Sequence, residues 1–154
     1  MIFITLGSQK FQFNRLLAAA DELKIDDEIF AQIGYSNYIP KNYEYKDFLD
    51  RNEFCSLIDK SDVVITHGGT GAIISALKKH KKVIAIPRLA KYGEHVDDHQ
   101  VQIIEQFKEL NLICECEDLD LKEALVKVKQ TKYASYQSNT MRIIESIEEF
   151  IEAF

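Results

Sequence analysis

Residues 67–71 read His-Gly-Gly-Thr-Gly and hold an imidazole, a hydroxyl and three of the chain's six glycines. Glycine loses more conformational freedom on folding than any other residue, so its clustering requires a reason. Without Cβ atoms, Gly68, Gly69 and Gly71 let backbone N–H groups approach an anion closely. A helix beginning beside them would add unpaired N–H donors and a favourable dipole. Thr70 contributes a hydroxyl donor, and His67 is the one weak candidate for a direct catalytic role, because an imidazole can titrate near neutral pH. That combination suits phosphate. The competing reading is a tight strand-to-helix turn with no ligand. The spacing is neither G-x-G-x-x-G nor the lysine-bearing P-loop, so neither a Rossmann dehydrogenase nor an NTPase is indicated.

A second cluster follows in "GEHVDDHQ", residues 93–100. Glu94, His95, Asp97, Asp98, His99 and Gln100 can all hydrogen-bond sugar hydroxyls or a base. Carboxylates suit this because each accepts from two vicinal hydroxyls, and a buried polar group left unpaired costs about 1–3 kcal/mol. His95 and His99 stand four apart, a spacing that can ligate a metal from one helical face. No third ligand stands out, and no metal or other cofactor is expected. The plainest alternative is a solvated loop that starts a helix with Asp97 as its N-cap.

Elements that alternate between strand and helix must position these residues. Strands are expected at Ile2–Leu6, Glu28–Gly34, Asp62–Thr66, Lys82–Pro87 and Leu112–Cys116, with a third strand or edge segment after Pro40. The runs "DVVIT" and "KVIAIP" show little alternation, as strands covered on both faces do. Helices are expected at Asn14–Leu23, from an Asp50 cap to Asp59, at Ala72–His80, Asp97–Leu110 and Leu119–Lys129. This order implies an α/β fold, a Rossmann-like, mostly parallel sheet with helices on both faces. Ligands of such sheets sit beyond the carboxyl ends of the strands. His67–Gly71 and Gly93–Gln100 both fall at that edge, and Gly7-Ser8, after the first strand, supplies a second rim loop there.

The first 130 residues therefore read as one domain. Residues 131–154 read as a polar connector followed by an amphipathic helix, with Ile143, Ile147, Phe150 and Phe154 on one stripe and glutamates opposite. That helix can pack on its own domain or grip a second protein. The net charge of −6 argues against a nucleic-acid surface. No apolar run approaches the ~20 residues that cross a bilayer, and the start does not resemble a signal peptide. Three cysteines, an odd number, fit a reducing cytoplasm, and Cys114 and Cys116 read as plain strand residues.

"ITHGGTGAI" followed by "IPR…GEHVDDHQ" resembles the C-terminal, nucleotide-sugar-binding domain of GT-B glycosyltransferases of the MurG-like group. Within it the chain is most similar to the short PssE/EpsF-type bacterial polysaccharide proteins, themselves similar to the soluble subunit of the dolichol-pathway N-acetylglucosamine transferase. The likeness runs from about Met1 to Lys129. It implies a UDP-sugar donor, with Gly7 and Ser8 near the diphosphate and His67, Gly68, Gly69, Thr70 and Gly71 binding phosphates or sugar. Glu94, Asp98 and Gln100 would face the sugar or uridine. One departure is Ser75, which stands where relatives often carry an acidic residue, so ribose recognition would be weaker or come from elsewhere.

The resemblance further implies half of a two-domain enzyme. The other half would be a membrane-associated glycosyltransferase subunit that binds a lipid-linked exopolysaccharide or capsule precursor, so peripheral membrane association would come through that partner. The expected activity is hexosyl transfer, metal-independent, in the cytoplasm at the inner face of the membrane, with the general base supplied by the partner. Alone, the chain could pair with a second copy. Two other classes compete: a non-catalytic nucleotide-sugar-binding protein that stabilises its partner, and a metal-dependent hydrolase using His95 and His99.

Overall fold

A computed structural model describes residues 1–116 and 118–137. The C-terminal helix expected over Ile143–Phe154 lies outside the described residues. The described chain forms a six-stranded sheet in which every pairing is parallel. The elements are β1 (Ile2–Thr5), α1 (Asn14–Asp21), β2 (Ile29–Gln32), β3 (Glu44–Lys46), α2 (Arg51–Lys60), β4 (Val63–His67), α3 (Thr70–Lys78), β5 (Lys82–Ile86), α4 (His99–Glu109), β6 (Cys114–Glu115) and α5 (Leu121–Gln130). A short 3₁₀ turn at Ala90–Tyr92, not anticipated from the sequence, precedes α4. Among the described residues no helix is long and apolar enough to cross a membrane.

Side chains of a strand alternate between faces, and here both faces are dry. Ile2, Ile4, Val63, Ile65, Ile84 and Ile86 pack under α1 and α5. Phe3, Val64, Val83 and Ala85 pack on the opposite face against residues of α2, α3 and α4. This explains why the central strands read as unbroken apolar runs. Cys114 and Cys116 are buried in the first of these layers outside any disulfide, and burial pushes the Cys116 thiol up to about 12. Asp50 caps α2 as expected and forms a reciprocal box: its carboxylate accepts the Glu53 N–H at 2.8 Å, and Glu53 accepts the Asp50 N–H at 3.1 Å.

Strand order is β3-β2-β1-β4-β5-β6. The chain starts in the middle, builds outward through β3, then returns to the other side of β1 at β4. The crevice outside the carboxyl ends of β1 and β4 is therefore the switch point, where parallel sheets take ligands. The loop after β1 and the turn after β4 meet there. Beyond α5, the polar stretch 131–137 stays on the domain. Tyr133 packs on one core layer and Tyr136 on the other, while the Ala134 N–H donates to the Asn111 carbonyl at 2.8 Å.

Candidate functional site

His67 closes β4 at the switch point, with its imidazole buried between two glycines. A Cβ on Gly7 would lie 2.7 Å from its Nε2, and a Cβ on Gly69 would overlap the ring, again 2.7 Å from Nε2. Gly7 also has φ of +70°, a conformation open to glycine. Gly68 makes a different approach, since a Cβ there would fall 2.7 Å from the Cβ of Gln100. Two of the three glycines in the turn thus make room for the protein's own side chains. Gly71 does not: a Cβ there meets nothing within 4 Å.

Gln100, in the first turn of α4, is buried and holds this turn in place. Its amide oxygen accepts the N–H groups of Gly68 and Arg88, each at 3.0 Å. That fixes the orientation of the amide, so its nitrogen is the group facing His67 Nδ1 at 3.2 Å. Nδ1 therefore accepts, and the imidazole proton resides on Nε2, between Gly7 and Gly69. Burial, with the Arg88 charge nearby, pushes the His67 pKa down to about 3. The sequence expectation of an imidazole titrating near neutral pH is corrected accordingly. His67 is neutral at pH 7 and offers a fixed N–H donor.

The α3 helix begins at Thr70, with Gly69 as N-cap and no capping side chain. Its first turn carries no acidic residue, so the positive end of its dipole is not offset locally. Ser75 returns its hydroxyl to the Gly71 carbonyl at 2.8 Å.

The loop from β5 to α4 is built around two buried charges. Arg88 donates to the carbonyls of Leu6 at 2.6 Å, Phe11 at 3.1 Å, and Gln12 and Glu94 at 3.3 Å. It thereby ties the β1 loop to the β5 loop. Burial lowers its pKa to about 10, so it keeps its charge at neutral pH. Glu94 is 1% exposed and takes a two-pronged contact from Arg15, at 2.7 and 3.0 Å, and the Leu89 N–H at 3.0 Å. Both its oxygens are engaged by the protein. Asp98 is exposed and accepts the Ala90 N–H at 2.8 Å, whereas Ser8 is exposed on the β1 loop. Asp97 is not the N-cap of α4. The helix starts two residues later, at His99, and Asp97 accepts the His99 N–H at 3.1 Å from outside it.

The switch point thus brings together Gly7, His67, Gly68 and Gly69, with Gln100 and Arg88 behind them. Arg88 and Arg15 were not assigned from the sequence. The only signal for Arg88 was a charged residue immediately after a buried strand, in "IPR". The arrangement can present fixed N–H donors to an anion at the N-terminus of α3, without a mobile cation.

Comparison with known proteins places this geometry in a family. The glycosyltransferase family 28 C-terminal domain matches residues 1–154. The UDP-N-acetylglucosamine transferase subunit ALG13 of Candida glabrata is 32% identical over 96 residues, 60% of this chain and 46% of that protein. The human protein of the same name is 28% identical over 133 residues, 75% of this chain and 11% of its own length. The chain therefore spans less than half of these curated relatives. Among solved structures, the glycosyltransferase SnogD from Streptomyces nogalater is similar, with a TM-score of 0.55 and 22% identity, covering 84% of this chain and 38% of that one. Acinetobacter baumannii MurG is similar with a TM-score of 0.53 and 18% identity, covering 95% and 49%. At these identities the structural likeness speaks for the fold. The chain belongs to the glycosyltransferase family 28 C-terminal domain family.

Proposed function

We propose that the chain is the donor-binding part of a glycosyltransferase and takes a UDP-sugar at the carboxyl edge of its sheet. The observation that carries this is the seating of His67 between Gly7 and Gly69 at the start of α3. As the bond from the sugar to the diphosphate breaks, negative charge grows on the departing UDP. The N–H groups at the start of α3 and the Nε2–H of His67 would meet that charge, and a preorganised donor needs no rearrangement at the moment of reaction. A neutral imidazole whose Nδ1 is already engaged by Gln100 is unsuited to removing the acceptor's proton. The general base is assigned to the acceptor-binding side.

Glu94 and Gln100 act behind the site. Glu94 holds the β5–α4 loop through Arg15, and Gln100 fixes the glycine turn and the tautomer of His67. Ser8, Thr70, Gly71 and Asp98 are proposed to face the donor. The acceptor is proposed to be a lipid-linked polysaccharide precursor, bound by a separate membrane-associated subunit. The names of the curated relatives, which describe a transferase subunit, support a division between two chains. The test is calorimetric titration of the purified chain with UDP and UDP-sugars, compared with a folded Gly71→Val variant.

A further inference from the structure

Three ligand-type atoms converge where the β5–α4 loop enters α4, and none of them takes part in the donor site described above. They are one atom each of His95, Asp97 and His99, all within 4.8 Å of one another. Both imidazole nitrogens lie near the same Asp97 oxygen: His95 at 3.2 Å, and His99 in a short hydrogen bond. The rings meet edge to face, with centroids 4.6 Å apart, and His95 is backed by Phe11 at 5.7 Å. The Asp97 N–H donates to His95 Nδ1 at 3.3 Å, so that nitrogen carries a lone pair, and a cation would displace this long bond.

We propose that His95, Asp97 and His99 form a binding site for a zinc-class divalent ion. Two imidazoles and one carboxylate are a borderline donor set, which suits zinc or cobalt, whereas magnesium and calcium prefer all-oxygen shells. Zinc bonds of about 2.0–2.1 Å place tetrahedral ligands about 3.3 Å apart, and His95 and Asp97 already stand at that spacing. His99 sits closer to Asp97, as a shared proton requires, and a cation replacing that proton would move it outward by a fraction of its present contact. The imidazoles are 7% and 16% exposed but the Asp97 side chain 59%, so the fourth position opens to solvent and can take water or an anionic oxygen. The sequence expectation lacked a third ligand. Asp97 provides it because α4 starts at His99, which leaves residues 95–98 free to curl into a non-helical loop.

The site is tested with the full chain, stripped by chelator and titrated with cobalt. One equivalent should give the visible d–d bands of tetrahedral cobalt, and zinc should displace it while magnesium has no effect. His99→Ala should weaken binding by more than the ~100-fold that loss of a mere supporting contact can cost, and Asp97→Asn should do the same while keeping the loop's hydrogen bonding. Circular dichroism checks that each variant is folded. Absence of tetrahedral bands in the parent chain overturns the site, as do bands that survive both substitutions, which would put the ion elsewhere. UDP affinity, measured separately, reports on the donor reading alone.

Discussion

The amide nitrogen of Gln100 lies 3.2 Å from Nδ1 of His67, and the amide oxygen beside it holds the backbone N–H groups of Gly68 and Arg88. One side chain thus sets both the shape of the glycine turn and the protonation pattern of the imidazole inside it. Gln100→Glu keeps an acceptor for both backbone groups but removes the donor to His67. This variant should fold, lose the Nε2–H tautomer signature in imidazole ¹⁵N spectra, and bind UDP more weakly. Gln100→Ala strands two buried N–H groups and should cost about 1–3 kcal/mol for each in denaturant titrations.

Acid should reveal the buried imidazole. Unfolded His67 would titrate near 6.5, but the folded group does so only at about 3. Between those values the unfolded chain binds one more proton, so stability falls as pH falls through that window. The slope contributed by His67 is about 1.4 kcal/mol per pH unit. Chemical denaturation of the native chain and of His67→Gln from pH 7 to 4 should show the gap closing on acidification. Parallel curves would mean that the imidazole is not held neutral.

Gly71 separates the two reasons for glycine in the turn. No side-chain clash opposes Gly71→Ala, and the position lies in α3, where alanine is favoured over glycine by up to about 1 kcal/mol. Stability should hold or rise. If the phosphates lie across the turn, UDP affinity should fall in the same variant. Gly69→Ala should lose both, because its Cβ would overlap His67.

The strands and the glycine turn were legible in the sequence because they are local. "DVVIT" and "KVIAIP" announce buried strands by composition, and the glycines by their number. The partners of Glu94 were not legible. Arg15 stands 79 positions away in the chain, and only the fold brings it across. From sequence, Glu94 and Gln100 could be offered only as ligand contacts, since a polar residue at the right edge of a sheet looks alike whether it faces solvent or the interior. The β6 strand was expected over five residues and pairs through only two. Its apolar neighbours Leu112 and Ile113 are buried outside the paired residues, while the Cys116 N–H still donates to the Ala85 carbonyl at 3.2 Å.

Arg15 and Glu94 should behave as a unit. Arg15→Ala leaves a buried carboxylate without its cation, which typically costs about 3–5 kcal/mol. Adding Glu94→Gln to that variant should recover part of the loss, because the uncompensated charge disappears. Denaturant midpoints for the two single variants and the double variant measure the coupling. Additive losses would show that the contact contributes nothing of its own.

The segment after Gln137 is proposed to recruit the partner chain. Ending the chain at Gln137 retains Tyr133 and Tyr136, which pack on the two core layers. The shortened protein should fold and bind UDP like the full chain but fail to co-purify with the membrane-associated subunit. Undiminished recruitment would move the interface onto the domain itself.

Calorimetric titration of the full chain with UDP, in parallel with folded Gly71→Val, tests the central claim most directly. Saturable binding at one UDP per chain and a marked loss of affinity in the variant are expected. Equal affinity in the two proteins, or no binding of UDP or any UDP-sugar by the native chain, would contradict it.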